Sequence, residues 1–131
     1  MIVVDTSVWI DYFNDTATPE VELLDRLLGI EPILIGDLIL VEVLQGFRSK
    51  TDFRNAQQLL DTLEFGPMIG RRVALASAQN FRTLRAAGIT VRKTIDVIIG
   101  TFCALNNHRL LHRDRDFDPM ESHCGLSVVR A

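Results

Sequence analysis

Ile2-Val3-Val4-Asp5-Thr6-Ser7-Val8-Trp9 opens the chain and decides its fold. Three successive β-branched residues are too short a run for a helix. Apolar on both faces, they read as a strand buried inside a parallel sheet. Asp5 closes the run. A carboxylate there is either the cap of a helix through Trp9, Tyr12 and Phe13 or a ligand, and Thr6 and Ser7 are themselves competent caps.

The same alternation continues along the chain. Thr18-Pro19 starts a helix through Val21, Leu24, Leu27 and Leu28 that stops at Gly29. Pro32 precedes a second short strand, Ile33-Leu34-Ile35, and Gly36-Asp37 turns into a helix from Leu38 to Gln45. Residues 51–63 predict a helix with Phe53, Ala56, Leu59, Leu60 and Leu63 on one side. Phe65 to Ile69, broken by Gly66-Pro67, is at most a short strand. A long helix is expected over 71–87, with Ala74, Ala78, Phe81 and Leu84 at helical spacing and Gly88 as its stop. Thr94 is placed to cap a helix whose Ile95, Ile98, Ile99 and Phe102 share a face. Arg109–His112 and Leu126–Val129 read as further strands. Short apolar strands alternating with helices give a single α/β domain over residues 1–131, with a short, mainly parallel sheet flanked by helices. Ligands in such sheets bind beyond the carboxyl ends of the strands. Asp5, Asp114 and Asp116 all fall at that edge.

Four stretches set a carboxylate in or beside an apolar run: Asp5, Glu42, Asp96, and the pair Asp114 and Asp116. An unpaired charge buried in such a run is costly. Each has an ordinary explanation. Asp96 stands in the first turn of its helix, where the macrodipole favours an acid. Asp114 and Asp116 lie in the turn-like Arg113-Asp114-Arg115-Asp116, and Asp118 before Pro119 reads as a solvated turn. Glu42 resists best. Ile39, Leu40 and Val41 precede it and Val43 and Leu44 follow, so its helix is expected to be buried all round. Such a glutamate must be paired, with Arg48 one partner, or protonated, or metal-linked. Taken together, carboxylates without accompanying His or Cys ligands favour a hard cation, Mg²⁺ or Mn²⁺.

Other chemistries lack their residues. There is no P-loop, no dinucleotide fingerprint and no nucleophile elbow around any serine. His108, His112 and His123 have no zinc spacing. His112 is expected at a strand end or the surface. Cys103 and Cys124 are too isolated for a disulfide framework and fit reduced thiols in a cytoplasm. No apolar run nears the ~18 residues of a membrane span, and the acidic start has no basic n-region of a signal peptide.

The net charge is −3, but it is unevenly spread. Residues 48–93 hold nine basic and three acidic side chains, a local +6 beside a −9 remainder. A basic middle permits a polyanion to lie against one face, although solvated helix faces account for it equally.

The four motifs resemble the PIN-domain ribonucleases, and specifically the VapC-type toxins of bacterial toxin–antitoxin pairs. The resemblance spans nearly the whole chain. It rests on Ile-Val-Val-Asp-Thr-Ser-Val-Trp, on Glu42 in Val-Glu-Val-Leu-Gln-Gly, on Asp96 in Ile-Asp-Val-Ile-Ile-Gly-Thr, and on Arg-Asp-Arg-Asp-Phe-Asp at 113–118. It implies a PIN-like three-layer fold and a Mg²⁺- or Mn²⁺-dependent endoribonuclease. Asp5 and Asp96 are then the principal metal ligands, with Glu42, Asp114 and Asp116 completing the catalytic acids and Thr6 and Ser7 supporting them. It also implies an RNA substrate, a small antitoxin protein partner, a homodimer and a cytoplasmic location. Arg82, Arg85, Arg92 and Lys93 are the expected phosphate contacts. The remaining alternatives are a housekeeping RNA-processing or DNA-acting nuclease, and a non-catalytic PIN-like protein that only binds an antitoxin.

Overall fold

The computed structural model describes residues 1–131. Five strands, β1 (Ile2–Val4), β2 (Ile33–Gly36), β3 (Glu64–Gly66), β4 (Arg109–Leu111) and β5 (Ser127–Val128), form one sheet in the order β3-β2-β1-β4-β5. Every pairing is parallel. The sheet is therefore wholly parallel rather than mainly so. β1 is central, with Val3 opposite Leu34 on one side and Leu110 on the other. All three residues of β1 are buried, as an apolar run in the middle of a covered sheet must be.

Seven helices flank the sheet in two groups. α1 (Thr6–Phe13) packs on α2 (Pro19–Leu27) and α3 (Asp37–Leu44), and α3 on α4 (Lys50–Leu60). On the other side of the chain, α5 (Gly70–Ala86) packs on α6 (Thr94–Leu105) and α7 (Asp118–His123), with a 3₁₀ turn at Arg115–Phe117 between β4 and α7. The core is aliphatic, with Trp9 and Phe117 its largest fully buried side chains.

Two close approaches fix the elements that bear the acids. At Gly36 a Cβ would lie 2.1 Å from Met68 Sδ, so a larger residue there would have to displace the buried Met68 side chain. The next residue, Asp37, uses one oxygen to accept both Leu38 N (2.9 Å) and Met68 N (3.0 Å), which ties the start of α3 to the loop before α5. Gly100 does the same for α6: a Cβ there would lie 2.5 Å from Met120 Cε, so α7 seats directly on the helix carrying Asp96.

Several expectations need correction. α1 is capped by Asp5, not by Thr6 or Ser7. Lys93 precedes α6 without a side-chain cap, and Thr94 is its first helical residue. α5 buries Val73, Ser77 and Leu84, whereas Ala74 and Ala78 are exposed. Alanine methyls are too small to dictate the phase of a helix against a bulkier valine. Phe53 on α4 is exposed. α3 is not buried all round, since Val41 is 60% exposed and Glu42 half-buried. Asp118 does not sit in a simple turn; it is an exposed first residue of α7.

Candidate metal centre

The acids gather at the carboxyl edge of the sheet because β1 and β4 run side by side and end together. Asp5 N donates to Leu111 O at 2.9 Å across that edge. Asp5 is 3% exposed. Its Oδ2 accepts Ser7 N at 3.0 Å and Ser7 Oγ at 2.7 Å, so it caps α1 with one oxygen. Its Oδ1 is buried and has no partner. The choice between cap and ligand left open by the sequence is therefore not a choice: one oxygen caps and the other is free.

Ser7 Oγ also accepts the Arg113 amide at 3.1 Å, joining the turn after β1 to the loop after β4. Arg113 in turn donates to Asp11 of α1 at 3.0 Å. Thr6, buried, donates its hydroxyl to Glu42 Oε1 at 2.8 Å. The anchor of Glu42 is thus a threonine hydroxyl, and Arg48 makes no ion pair with it.

Asp96 reaches the site from the first turn of α6 and is 6% exposed. Its Oδ2 is buried without a hydrogen bond and meets only Lys93 Nζ, at 3.4 Å. Asp114 caps the 3₁₀ turn through Oδ1, which accepts Asp116 N at 2.9 Å, and turns Oδ2 to the same Lys93 Nζ at 3.4 Å. His112 Nδ1 accepts the Asp114 amide at 3.2 Å, and its ring leans on Phe117 with centroids 5.0 Å apart, so it holds the loop. Asp116 has both oxygens engaged by Arg92, at 2.7 Å from Nη2 and 3.2 Å from Nε. Oxygens of Asp96, Asp114 and Asp116 lie within 4.8 Å of one another.

The electrostatics divide these acids. Burial pushes Asp96 up to about 6; Lys93 opposes the rise, and the negative charges of Asp5 and Asp114 add to it. Burial likewise raises Asp5, against its Ser7 bonds and with Asp114 contributing. Asp116 goes the other way, held below the usual carboxylate range by its hydrogen bonds from Arg92. Asp5, Asp96 and Asp114 therefore form one mutually repelling set, and Thr6 connects Glu42 to it.

That donor set suits a metal. It offers oxygens alone, including two buried carboxylate oxygens with no hydrogen bond, Asp5 Oδ1 and Asp96 Oδ2. A hard divalent cation beside such oxygens would supply the missing partner and ease the repulsion.

A cavity of about 540 Å³ opens beside the acids. Leu84, Val97 and Met120 line its apolar part, and Arg92, Lys93 and Asp116 stand at its polar side. Arg82 and Arg85 are not there. They line a second groove between α5 and α6 with Phe81 and Ile98, and the Arg85 guanidinium sits 5.2 Å over the Phe81 ring. Val97 borders both spaces.

The PIN domain family model matches residues 2–121. The chain is 32% identical over 123 residues to Ribonuclease VapC11 of Mycobacterium tuberculosis, covering 90% of each protein. It is a PIN-domain protein of the VapC ribonuclease family. Solved PIN-fold neighbours agree in architecture. One is a toxin–antitoxin complex from Klebsiella pneumoniae (TM-score 0.73, 20% identity, 99% of this chain and 97% of that one). Another is VapBC2 from Rickettsia felis bound to a fragment of its promoter DNA (TM-score 0.73, 18% identity, 98% of each chain). PIN nucleases use divalent metal ions, and the acid cluster here provides for one. No helix of this PIN domain is long and apolar enough to cross a membrane.

What the sequence did not reveal is the interplay within the PIN-domain site. Ser7 bridges Asp5 and Arg113, and Arg92 and Lys93 fold back onto the acids. The Asp114-x-Asp116 spacing was the available signal for the first residue's capping role, since Asp accepts readily from the amide two residues on.

Proposed function

We propose that this protein is the toxin of a type II toxin–antitoxin pair and hydrolyses RNA phosphodiester bonds with Mg²⁺ or Mn²⁺. The observation that carries this reading is the two buried oxygens without a hydrogen bond, Asp5 Oδ1 with no partner and Asp96 Oδ2 with only the Lys93 ammonium at 3.4 Å, in a shared negative field at the carboxyl edge of the sheet.

Asp5 Oδ1 and Asp96 Oδ2 are the oxygens that would hold the ion, with Asp114 grouped beside Asp96. When bound, the ion supplies charge neutralisation at the phosphate and a more acidic water. The chain's own residues do the rest. Ser7 fixes Asp5 by occupying Oδ2, which leaves Oδ1 to the site. Glu42, positioned by Thr6, orients the attacking water and can accept its proton. The water oxygen forms the new bond to phosphorus, and the ester oxygen departs with the strand end. Asp116 keeps Arg92 at the cavity with its side chain exposed, which leaves its remaining N–H groups for a phosphate.

Charge makes the ion a condition of substrate binding. The formal net charge is −3. One divalent ion brings it to −1 and two bring it to +1. RNA enters along Arg92 and Lys93 and extends toward the α5–α6 groove with Arg82 and Arg85, supported by the two cavities having Val97 as a common wall. A single-stranded or looped region fits better than a duplex, whose deep major groove side chains cannot read. Exposed apolar residues on the two helix groups, Val41 on α3 and Ile69 and Leu75 at α5, support burial against an antitoxin and a second copy of the chain. The protein acts in the cytoplasm in this reading.

Mapping cleavage ends on total RNA with the wild type, Asp5→Asn and Asp96→Asn tests the assignment. Defined ends that need Mg²⁺ and vanish in both variants are expected. Full activity in both, with folding intact by circular dichroism, overturns it.

A further inference from the structure

We infer that Lys93 is the site's built-in counter-cation, displaced when a divalent ion binds, and that Asp116 holds Arg92 for the RNA phosphate and is not a metal ligand. This rests on the ribonuclease reading and goes beyond it by dividing the acids into two sets.

The two basic residues are adjacent in sequence, yet they hold the acids differently. Lys93 Nζ stands 3.4 Å from Oδ2 of both Asp96 and Asp114. Charge-assisted contacts of this kind close to about 2.7–2.9 Å when well formed. Lys93 therefore balances two carboxylates without bonding tightly to either, as a stand-in for a cation does. The oxygens it faces are the uncommitted ones. Asp96 Oδ2 is buried with no hydrogen bond, and the other oxygen of Asp114 is used in capping the 3₁₀ turn. A magnesium–oxygen distance is about 2.0–2.1 Å, so an ion on these oxygens and an ammonium centred between them cannot coexist. Lys93 can leave: its side chain is 54% exposed and its stem is flexible.

Arg92 is the opposite case. It spans both oxygens of Asp116 at 2.7 and 3.2 Å, a two-point hold matched to the planar fork of guanidinium. Ligation by Asp116 would break that pair. The pair needs no ion, because Asp116 is already neutralised and lies partly in solvent. Asp116 does lie within 4.8 Å of Asp96 and Asp114, and Asp5 is outside that group. Asp5 Oδ1 is buried and partnerless, however, whereas both Asp116 oxygens are taken, so the state of each oxygen favours the Asp5 and Asp96 side.

Exchange also has a directional result. Once displaced, Lys93 remains three residues from Asp96 at the polar side of the cavity, beside Arg92. Arrival of the ion thus removes negative field and frees an ammonium for phosphate in the same event.

The test is Mn²⁺ binding to the full-length metal-free protein by isothermal titration calorimetry, at constant ionic strength, for the wild type, Lys93→Met and Asp116→Asn. Lys93→Met is expected to bind Mn²⁺ about tenfold more tightly, since a competing occupant no longer reduces the binding-competent fraction. Asp116→Asn is expected to keep the wild-type Mn²⁺ affinity within about twofold and to weaken anisotropy-detected binding of a fluorescent, phosphorothioate-linked single-stranded RNA by about tenfold, the loss of one phosphate-directed group. Equal or weaker Mn²⁺ binding by Lys93→Met, with a native near-UV spectrum, overturns the exchange. Loss of Mn²⁺ binding in Asp116→Asn makes Asp116 a ligand and overturns the division. If Lys93→Met misfolds, Lys93→Gln is measured by the same criterion. Wild-type protein that binds Mn²⁺ but cleaves no RNA defeats the ribonuclease reading and leaves the exchange standing.

Discussion

Asp96 and Asp116 belong to one cluster, yet their surroundings push them in opposite directions. Asp96 is buried, short of hydrogen bonds and raised to about 6. Asp116 is partly solvated, gripped at two points by Arg92 and lowered. The first is an acid whose ionised form the folded chain disfavours and a cation would rescue. The second is an acid whose ionised form the folded chain already supports. Proximity to a metal-like cluster is therefore a poor guide to ligation; the state of each oxygen is a better one.

The contrast breaks first, and most visibly, at Asp96. Asp96→Asn is expected to lower RNA cleavage on the order of a thousandfold, the scale of several kcal/mol that a positioned ion contributes. The same change should raise the melting temperature of the metal-free protein at pH 7 by about 3 °C, as removing roughly 1 kcal/mol of penalty would in a chain of this size. Calorimetry that shows a lower melting temperature would erase the distinction between the two acids.

The next effect is pH. A group raised in the folded state lends stability below its unfolded pKa, and that contribution is lost as pH rises through the folded value. For Asp96 the window runs from 3.8 to about 6, so the metal-free site grows less favourable across it. Asp116 has the reverse sign: its contribution is present above 3.8 and is lost as pH falls below it. Metal binding needs Asp96 ionised, so Mn²⁺ affinity should fall by about tenfold per unit as pH drops below about 6. A flat profile between pH 5 and 7 would place Asp96 outside the ligand set.

Two smaller changes sharpen the picture. Thr6→Val keeps the shape of the side chain but leaves Glu42 without its 2.8 Å donor. Cleavage should fall by roughly tenfold with the water poorly oriented, while Mn²⁺ affinity moves much less. Arg82→Ala, in the separate groove, should weaken RNA binding only about twofold and lower the salt dependence by about one phosphate contact. An effect as large as that of Arg92→Ala would make the two basic regions equivalent.

The sheet was legible because Ile2-Val3-Val4, Ile33-Leu34-Ile35 and Leu110-Leu111 are apolar where both faces are covered. The edge that gathers Asp5 and Asp114 followed from that. Asp96 was legible through its motif Ile-Asp-Val-Ile-Ile-Gly-Thr, since its place in a helical first turn has an ordinary electrostatic explanation. The phase of α5 was not, because Ala74 and Ala78 fit an inner or an outer face equally. Nor was the environment of Glu42, since a run of aliphatic residues does not say which of them a neighbouring helix will leave uncovered. The seats of Arg92 and Lys93 were illegible for a different reason. Asp116 and Asp114 lie 24 and 21 residues away, and although Asp96 is only three residues from Lys93, long basic side chains choose their distant partners only once the loops have met.

The Ser7 hydroxyl links Asp5 to the amide of Arg113, a residue 106 positions further along the chain. That amide sits in an exposed residue and would exchange quickly with solvent deuterium if nothing held it. Its exchange rate is therefore a native gauge of the Asp5 turn, readable without a label, a mutation or a substrate. An event that reorganises Asp5 should speed or slow this single amide, even while the central strands on either side stay protected.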